Sequence, residues 1–323
     1  GAIVTGFSLK PATTPHHFGL LDLSLKSVIS DIRDRDAVAK AMAKAKPDLV
    51  FHLAAQALVK EGYQTPVETF EANVMGTVHV LEAARNQPSL KGVVIVSSDK
   101  CYEIPDDPRA LKETDPLGGY DPYSASKGCT EIVTSAYCRS FFDGGKIAGA
   151  RAGNVIGGGD WAPNRLIPDL VTGAFRNEIT LLRSPSAVRP WQHVLDPLSG
   201  YLLLGQRLLS SGQCGGESWN FGPSEGQTLK VKDMVAMLKT HLPAITIKTE
   251  AETAFHEAAY LALDCEKAAK QLSWKSVLSA AESVSWTAAW YQSFYKDHRV
   301  RSRDQLTDYI ELASQRQHPW ALS

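Results

Sequence analysis

Residues Val93–Glu131 read VVIVSSDKCYEIPDDPRALKETDPLGGYDPYSASKGCTE, and the two ends of this stretch decide the fold class. Val93–Val96 is a run of β-branched residues, as in a strand buried on both faces of a parallel sheet. It ends in Ser97, Ser98, Asp99 and Lys100, so the strand delivers polar side chains to its carboxyl end. In an open α/β sheet that end is where ligands bind. After a polar insert, Tyr123 and Lys127 stand four residues apart in a helical segment and project from one face. A free tyrosine, with a pKa of about 10, is a poor base at neutral pH. A lysine cation nearby favours the phenolate and would make Tyr123 a proton acceptor. A Tyr and a Lys one turn apart also arise by chance. The hydroxyl, acid and amine of Ser98, Asp99 and Lys100 at the preceding strand end favour the catalytic reading.

The 323 residues are enough for one large α/β domain, or for a domain with a smaller lobe. A net charge of −1 gives no broad attraction to nucleic acid or to an anionic membrane, so any anion site must be local. No apolar run approaches the ~20 residues of a membrane helix, and GAIVTGFSLKP does not read as a signal peptide. Cys101, Cys129, Cys138, Cys214 and Cys265 form no Cys-x-x-Cys pair. Such an odd, scattered set suits reduced thiols in the cytoplasm. No His/Cys spacing suggests a metal site, and His16–His17 reads as a surface pair in a loop.

The strand ending in SSDK, followed by YSASK, resembles the extended short-chain dehydrogenase/reductases that act on nucleotide sugars. GGYDPYSASKGCTE, RAGNVIGGGDWA, RPWQHVLDPLSGYL and WNFGP together resemble the CDP-glucose 4,6-dehydratase branch of that family. These strings spread from Ser97 to Pro223, and the resemblance thins after Gln271. It implies a doubly wound, Rossmann-like parallel sheet with a smaller mixed α/β substrate lobe. The expected division is an NAD-binding domain at 1–152, rejoined by parts of 189–217, with 153–188 and 218–323 as the lobe.

Taken in order, AIVTGFSL suits the second strand of a dinucleotide-binding sheet. The first strand, glycine turn and first helix, which place backbone N–H groups against a pyrophosphate, do not precede it. Either the given chain lacks a segment that the full protein has, or this is a truncated, cofactor-free form. Exposed strand edges favour the first reading. VISDIRD is the next strand, and the resemblance makes Asp31 and Ile32 contacts of the NAD adenine. An Asp capping the helix near Asp34 explains Asp31 equally well. DLVFHLAAQ is a strand ending in small residues that let a ligand approach the backbone. The resemblance places Leu53, Ala54, Ala55 and Gln56 on the cofactor and Asn73 behind the catalytic strand, with a structural role for Asn73 equally open. Val96, Tyr123, Lys127, Ala152 and Val155 complete the implied NAD contacts, with RAGN as the hinge into the lobe.

For the substrate, the resemblance implies Ser98, Asn154, Arg165, Arg189, Trp191, Trp219 and His256. Guanidinium groups pair bidentately with phosphate oxygens, which suits Arg165 and Arg189 to a diphosphate. Arginines on loops are also common as solvated surface, and burial in a core is the simpler use of tryptophan. Trp286, Trp290 and Tyr291 read as packing residues of an amphipathic helix.

The implied chemistry has three steps. Tyr123 takes the proton of the hexose 4-hydroxyl, held by Ser98, while NAD takes the C4 hydride. A base then removes the C5 proton while neutral Asp99 protonates the leaving 6-hydroxyl. Hydride returns to C6, leaving a 4-keto-6-deoxy sugar, a step toward the deoxysugars of surface polysaccharide. The best-known relatives carry Asp-Glu where this chain has Asp99-Lys100, so Lys100, if neutral, is the base. The alternative is an ion pair of Lys100 with a carboxylate. Two rival functions are a nucleotide-sugar 4-epimerase, which needs no acid–base pair at Asp99 and Lys100, and a non-catalytic sugar-nucleotide-binding protein. The resemblance also implies a homodimer built on helices, one of them carrying Tyr123 and Lys127.

Overall fold

A computed structural model of the chain describes residues 1–210, 214–224, 226–249 and 258–322. Strands β1 (Thr5–Ser8) and β2 (Lys26–Ile29) form a parallel pair, with the single helical turn α1 (His17–Leu20) between them. Helix α2 (Arg35–Ala45) starts where Asp34 accepts a hydrogen bond from the Ala37 N–H, an N-cap that satisfies one orphan donor. Strands β3 (Leu49–His52), β4 (Gly92–Val96) and β5 (Ile147–Ala152) lie side by side and parallel.

Parallel neighbours need crossovers. Between β3 and β4 these are α3 (Val59–Gln64), α4 (Pro66–Phe70) and α5 (Gly76–Arg85), the last two joined by a π-helical turn at Glu71–Met75. Between β4 and β5 runs α6 (Pro122–Phe141). Strand β4 alternates as a two-sided buried strand must. Val93 and Ile95 pack with Val38, Leu81 and Phe142, whereas Val94 packs on the other face with Leu204, Trp219 and Phe221. Helices therefore cover both faces, and the polar residues after Val96 emerge at the carboxyl edge. Among the described residues, β1 and β3 share no backbone ladder, so the doubly wound sheet lies in two parallel parts.

The lobe follows. Strand β6 (Val155–Ile156), helix α7 (Leu166–Arg176), and strands β7 (Ile179–Leu182), β8 (Val188–Arg189) and β9 (Gln192–His193) come first. Helix α8 (Leu195–Ser210) returns to the sheet and packs on β4 and β5. Strand β10 (Ser218–Phe221), expected in the lobe, is parallel to β5 and extends the main sheet instead. Its Trp219 and Phe221 are apolar enough to cover the sheet's α8 side, which the sequence division does not capture.

Strand β11 (Leu229–Lys230) pairs antiparallel with β8, and β12 (Thr246–Thr249) pairs parallel with β7. Helices α9 (Val231–His241) and α10 (Ala280–Asp297) close the lobe core, and α11 (Ser302–Gln315) packs beside them. Trp290 and Tyr291 are fully buried there, as packing residues should be. His17 differs from the expected surface histidine. Its Nε2 sits 2.6 Å from Ser302 Oγ and its ring meets the Trp290 edge at 5.7 Å, which ties the N-terminal segment to the C-terminal helices.

Candidate active site

Helix α6 is started firmly. Asp121 accepts from the Ser124 N–H at 3.0 Å and from the Ser124 hydroxyl at 2.5 Å, and Pro122 occupies the first turn. Gly119 just before it has φ +128°, and a Cβ there would lie 2.4 Å from the Ser124 carbonyl carbon. Only glycine suits that approach. Tyr123 and Lys127 follow on one face of α6, both buried.

Opposite them, Ser98 caps a single 3-10 turn at Asp99–Cys101. Its Oγ accepts from the Lys100 N–H at 3.2 Å and donates to Asp99 Oδ1 at 3.0 Å. The same hydroxyl lies against the Tyr123 phenol and favours its anion, but burial outweighs it and pushes the phenol up to about 12. The Lys127 amine donates to the Val96 carbonyl at 3.3 Å, and burial lowers it to about 8. The expected phenolate-favouring contact from Lys127 is therefore absent here: desolvation works against its charge, and its hydrogen bond goes to the strand.

Asp99 is 3% exposed. Burial holds its carboxyl above the ordinary range, against the attraction of Lys100, the Ser98 hydrogen bond and the attraction of Arg189. Its Oδ2 has no hydrogen-bond partner among the described residues. A Cβ at Gly153 would come within 3.2 Å of that oxygen, so the small hinge residue borders the acid. The Lys100 amine makes no hydrogen bond or ion pair among the described residues. The alternative of a Lys100–carboxylate pair is not what this arrangement holds.

Ser98, Asp99, Lys100 and Tyr123 share one cavity of about 430 Å³. Its wall carries Asn154, Arg165, Arg189 and Trp191, four of the lobe residues that the sequence singles out. Arg189 is buried and donates to the Val188 carbonyl at 2.8 Å. Arg165 is more open, its guanidinium 3.0 Å from Asp160. Two cations absent from the sequence-derived set also line the cavity, Lys60 and Arg183. Lys60 comes from α3, far before the lobe in sequence, and no local pattern signals it.

Residues 7–222 match the NAD dependent epimerase/dehydratase family. The chain belongs to that family. Its curated relatives include a CDP-glucose 4,6-dehydratase of Salmonella typhimurium, 41% identical over 97% of this chain and 91% of that protein. Among solved structures, a dTDP-glucose 4,6-dehydratase from Streptomyces venezuelae with NAD bound is 26% identical, with a TM-score of 0.73 over 86% of this chain and 84% of that one. A UDP-glucose 4-epimerase from Thermotoga maritima has the same fold, with a TM-score of 0.81 at 20% identity over 92% and 93% of the two chains.

A member of this family uses NAD, and the carboxyl edge of the sheet suits it. Leu53 is half exposed there beside the small Ala54 and Ala55, an apolar shelf that a soluble protein rarely leaves open without use. Val96 and Ala152 end the neighbouring strands β4 and β5, with the Lys127 amine behind them, and Val155 is 40% exposed just beyond. The Gln56 N–H donates to Asn73 Oδ1 at 2.7 Å, and Asn73 Nδ2 returns to the Gln56 carbonyl and to Ser126 Oγ. Asn73 is thus the structural link between loop and α6. Asp31 does not cap α2. Both its oxygens take the Arg33 guanidinium, which holds the carboxyl below its usual range, and Ile32 packs tightly over Gly76.

Trp219 is a correction. It is 2% exposed in the core between the sheet and α8, with the Lys267 ammonium 4.1 Å from its ring centre, and it does not reach the cavity. It lies on β10, whose pairing turns it away from the lobe. His256 lies outside the described residues.

Proposed function

We propose that this chain catalyses the NAD-dependent 4,6-dehydration of CDP-D-glucose to CDP-4-dehydro-6-deoxy-D-glucose. The observation that carries the reading is the pair beside the Ser98–Tyr123 site: a buried Asp99 whose carboxyl is raised, next to a Lys100 amine that makes no hydrogen bond or close ion pair among the described residues. A neutral acid and an available amine are what an elimination needs and what an epimerisation does not. A curated relative 41% identical to this chain, the Salmonella typhimurium protein, is a CDP-glucose 4,6-dehydratase.

NAD, held by the sheet-edge residues named below, would supply the hydride acceptor for C4 and the donor for C6, with no net redox change. In this reading Tyr123 takes the 4-hydroxyl proton and Ser98 holds that hydroxyl. Lys127, one turn along α6, is the cation of this site, and its support of the phenolate requires that its amine leave the Val96 carbonyl when substrate and cofactor bind. Lys100 removes the C5 proton, which the new 4-ketone has acidified, and Asp99 protonates the departing 6-hydroxyl. Arg165 and Arg189 receive the diphosphate, with Asn154 and Trp191 completing the lobe wall. Asp31, Ile32, Leu53, Ala54, Ala55, Gln56, Val96, Ala152 and Val155 flank the cofactor. The working form is a homodimer in the cytoplasm, joined through α5 and α6.

Full-length protein incubated with CDP-glucose and NAD, beside UDP- and dTDP-glucose, tests this by the alkali absorbance of a 4-keto product. Product from CDP-glucose alone is expected. A 4-epimer without keto product, or silence with all three despite NAD binding, would sink it.

A further inference from the structure

Resting on the dehydratase reading, the proton balance of one turnover has a consequence for Ser98. Tyr123 gains one proton, from the 4-hydroxyl, as hydride leaves C4. Lys100 takes one proton from C5 and gives one back to C5 when hydride reaches C6. Asp99 loses one proton, to the leaving hydroxide, and water departs. The 4-ketone remains in the product, so Tyr123 has no alkoxide to which its proton can return, as it would in an epimerase. The cycle therefore ends with a phenol at Tyr123 and a carboxylate at Asp99, one proton displaced from the starting state.

We propose that the Ser98 hydroxyl resets the site by carrying that proton internally from Tyr123 to Asp99. Its Oγ–H bond breaks as Asp99 Oδ1 is protonated, and a new one forms with the proton that Tyr123 releases. No co-reactant is consumed. The Ser98 Oγ already donates to Asp99 Oδ1 at 3.0 Å and lines the same cavity as Tyr123. Contacts that are long in a free site tighten in the complex. Both ends are closed to bulk water, Asp99 at 3% and Tyr123 at 8% exposure, so exchange with solvent is the poorer route. Lys100 does not replace Ser98 in this role, because its proton is committed to C5. Desolvation favours neutral Asp99, and the positive charge of the oxidised cofactor, once bound, would offset the burial that raises the Tyr123 phenol and so favour its release of the proton.

The test is pre-steady-state quenching of NAD-loaded enzyme with excess CDP-glucose, comparing the native protein with Ser98→Ala and Ser98→Thr. In Ser98→Ala the first turnover, though slowed by loss of the substrate contact, should outrun later ones by about a hundredfold, the scale of a lost general-acid step. Later turnovers should accelerate as imidazole buffer is raised at constant pH. The native and Ser98→Thr proteins should show no such burst and no buffer response. Ser98→Ala turning over at one rate throughout, without buffer response, overturns the proposal and leaves substrate positioning as the serine's role. Silence of Ser98→Ala even in the first turnover, with NAD binding intact, does the same. Native enzyme that makes no keto product overturns the dehydratase reading and this proposal with it.

Discussion

Asp99 and Lys100 are adjacent in sequence, but burial separates their chemistry. The carboxyl is enclosed and raised, whereas the amine is only partly buried and has no ion pair among the described residues. Lys100→Ala should abolish keto product while leaving the first oxidation at C4, seen as a single-turnover rise of NADH absorbance. Asp99→Asn should lower kcat by about 10²–10⁴-fold, the usual worth of a positioned general acid. The burial of Lys127 has its own signature. Its cation is present below its folded value of about 8 and lost above it, so kcat should decline as pH rises past about 8. Lys127→Arg, always charged, should remove that decline in a pH–kcat profile. Trp219 separates core from site: Trp219→Ala should cost about 3–5 kcal/mol of stability in denaturant titration. The KM for CDP-glucose of the protein that remains folded should not change.

At the scale of elements, the catalytic turn and α6 are braced by a buried ion pair that takes no part in the chemistry. Glu131 follows Lys127 by one turn, and its Oε2 receives Arg151 of β5 at 2.7 Å and the Ser218 hydroxyl of β10 at 2.7 Å. Its Oε1 receives the Ser97 hydroxyl, the residue before Ser98. Burial pushes the Glu131 carboxyl up, but the Arg151, Ser97 and Ser218 contacts outweigh it and leave it below the usual range. Arg151 also donates to the Tyr102 hydroxyl at 2.8 Å, holding the far end of the same turn. Glu131→Gln leaves a buried, unpaired guanidinium and should destabilise the fold by about 3–5 kcal/mol. The double change Glu131→Leu with Arg151→Met should cost less, in the same denaturant measurement.

Helix α8 carries a different buried acid. Asp196 Oδ1 accepts from the Val277 N–H at 2.6 Å and from the Tyr309 hydroxyl at 2.9 Å, yet burial raises its carboxyl to about 7. A raised acid contributes stability below its unfolded value, and the contribution is lost as pH rises through about 7. Asp196→Asn should flatten the fall in Tm between about pH 4 and about 7.

For the whole molecule, apolar side chains left exposed on the α4–α6 side need a cover. Ile132 is 59% exposed, Phe141 51%, Val67 64% and Met75 45%, all on the face away from the sheet. That surface is what a helix-to-helix dimer would bury. If the proposed dimer forms through this face, Ile132→Asp with Phe141→Lys should sediment as a monomer where the native protein sediments as a dimer, with far-ultraviolet circular dichroism unchanged. The lobe and the sheet meet at a cavity to which β8 brings Arg189 and the residue before β6 brings Asn154, so its lining comes from separate stretches of chain.

The sequence by itself determined the parallel sheet, the helix carrying Tyr123 and Lys127, and the polar turn at Ser98–Lys100. Strand burial, helix spacing and an Asp-Pro start are local signals, readable within a few residues. It also indicated the lobe arginines, whose side chains suit phosphate wherever they lie. Tertiary structure alone decided that Trp219 joins the core, that β10 completes the sheet, and that Lys60 and Arg183 reach the cavity. Those outcomes depend on strand order and on which face a residue meets at long range. Tertiary packing likewise directed Lys127 to the Val96 carbonyl and raised Tyr123, because desolvation is set by the whole surroundings of a group and not by its neighbour four residues away.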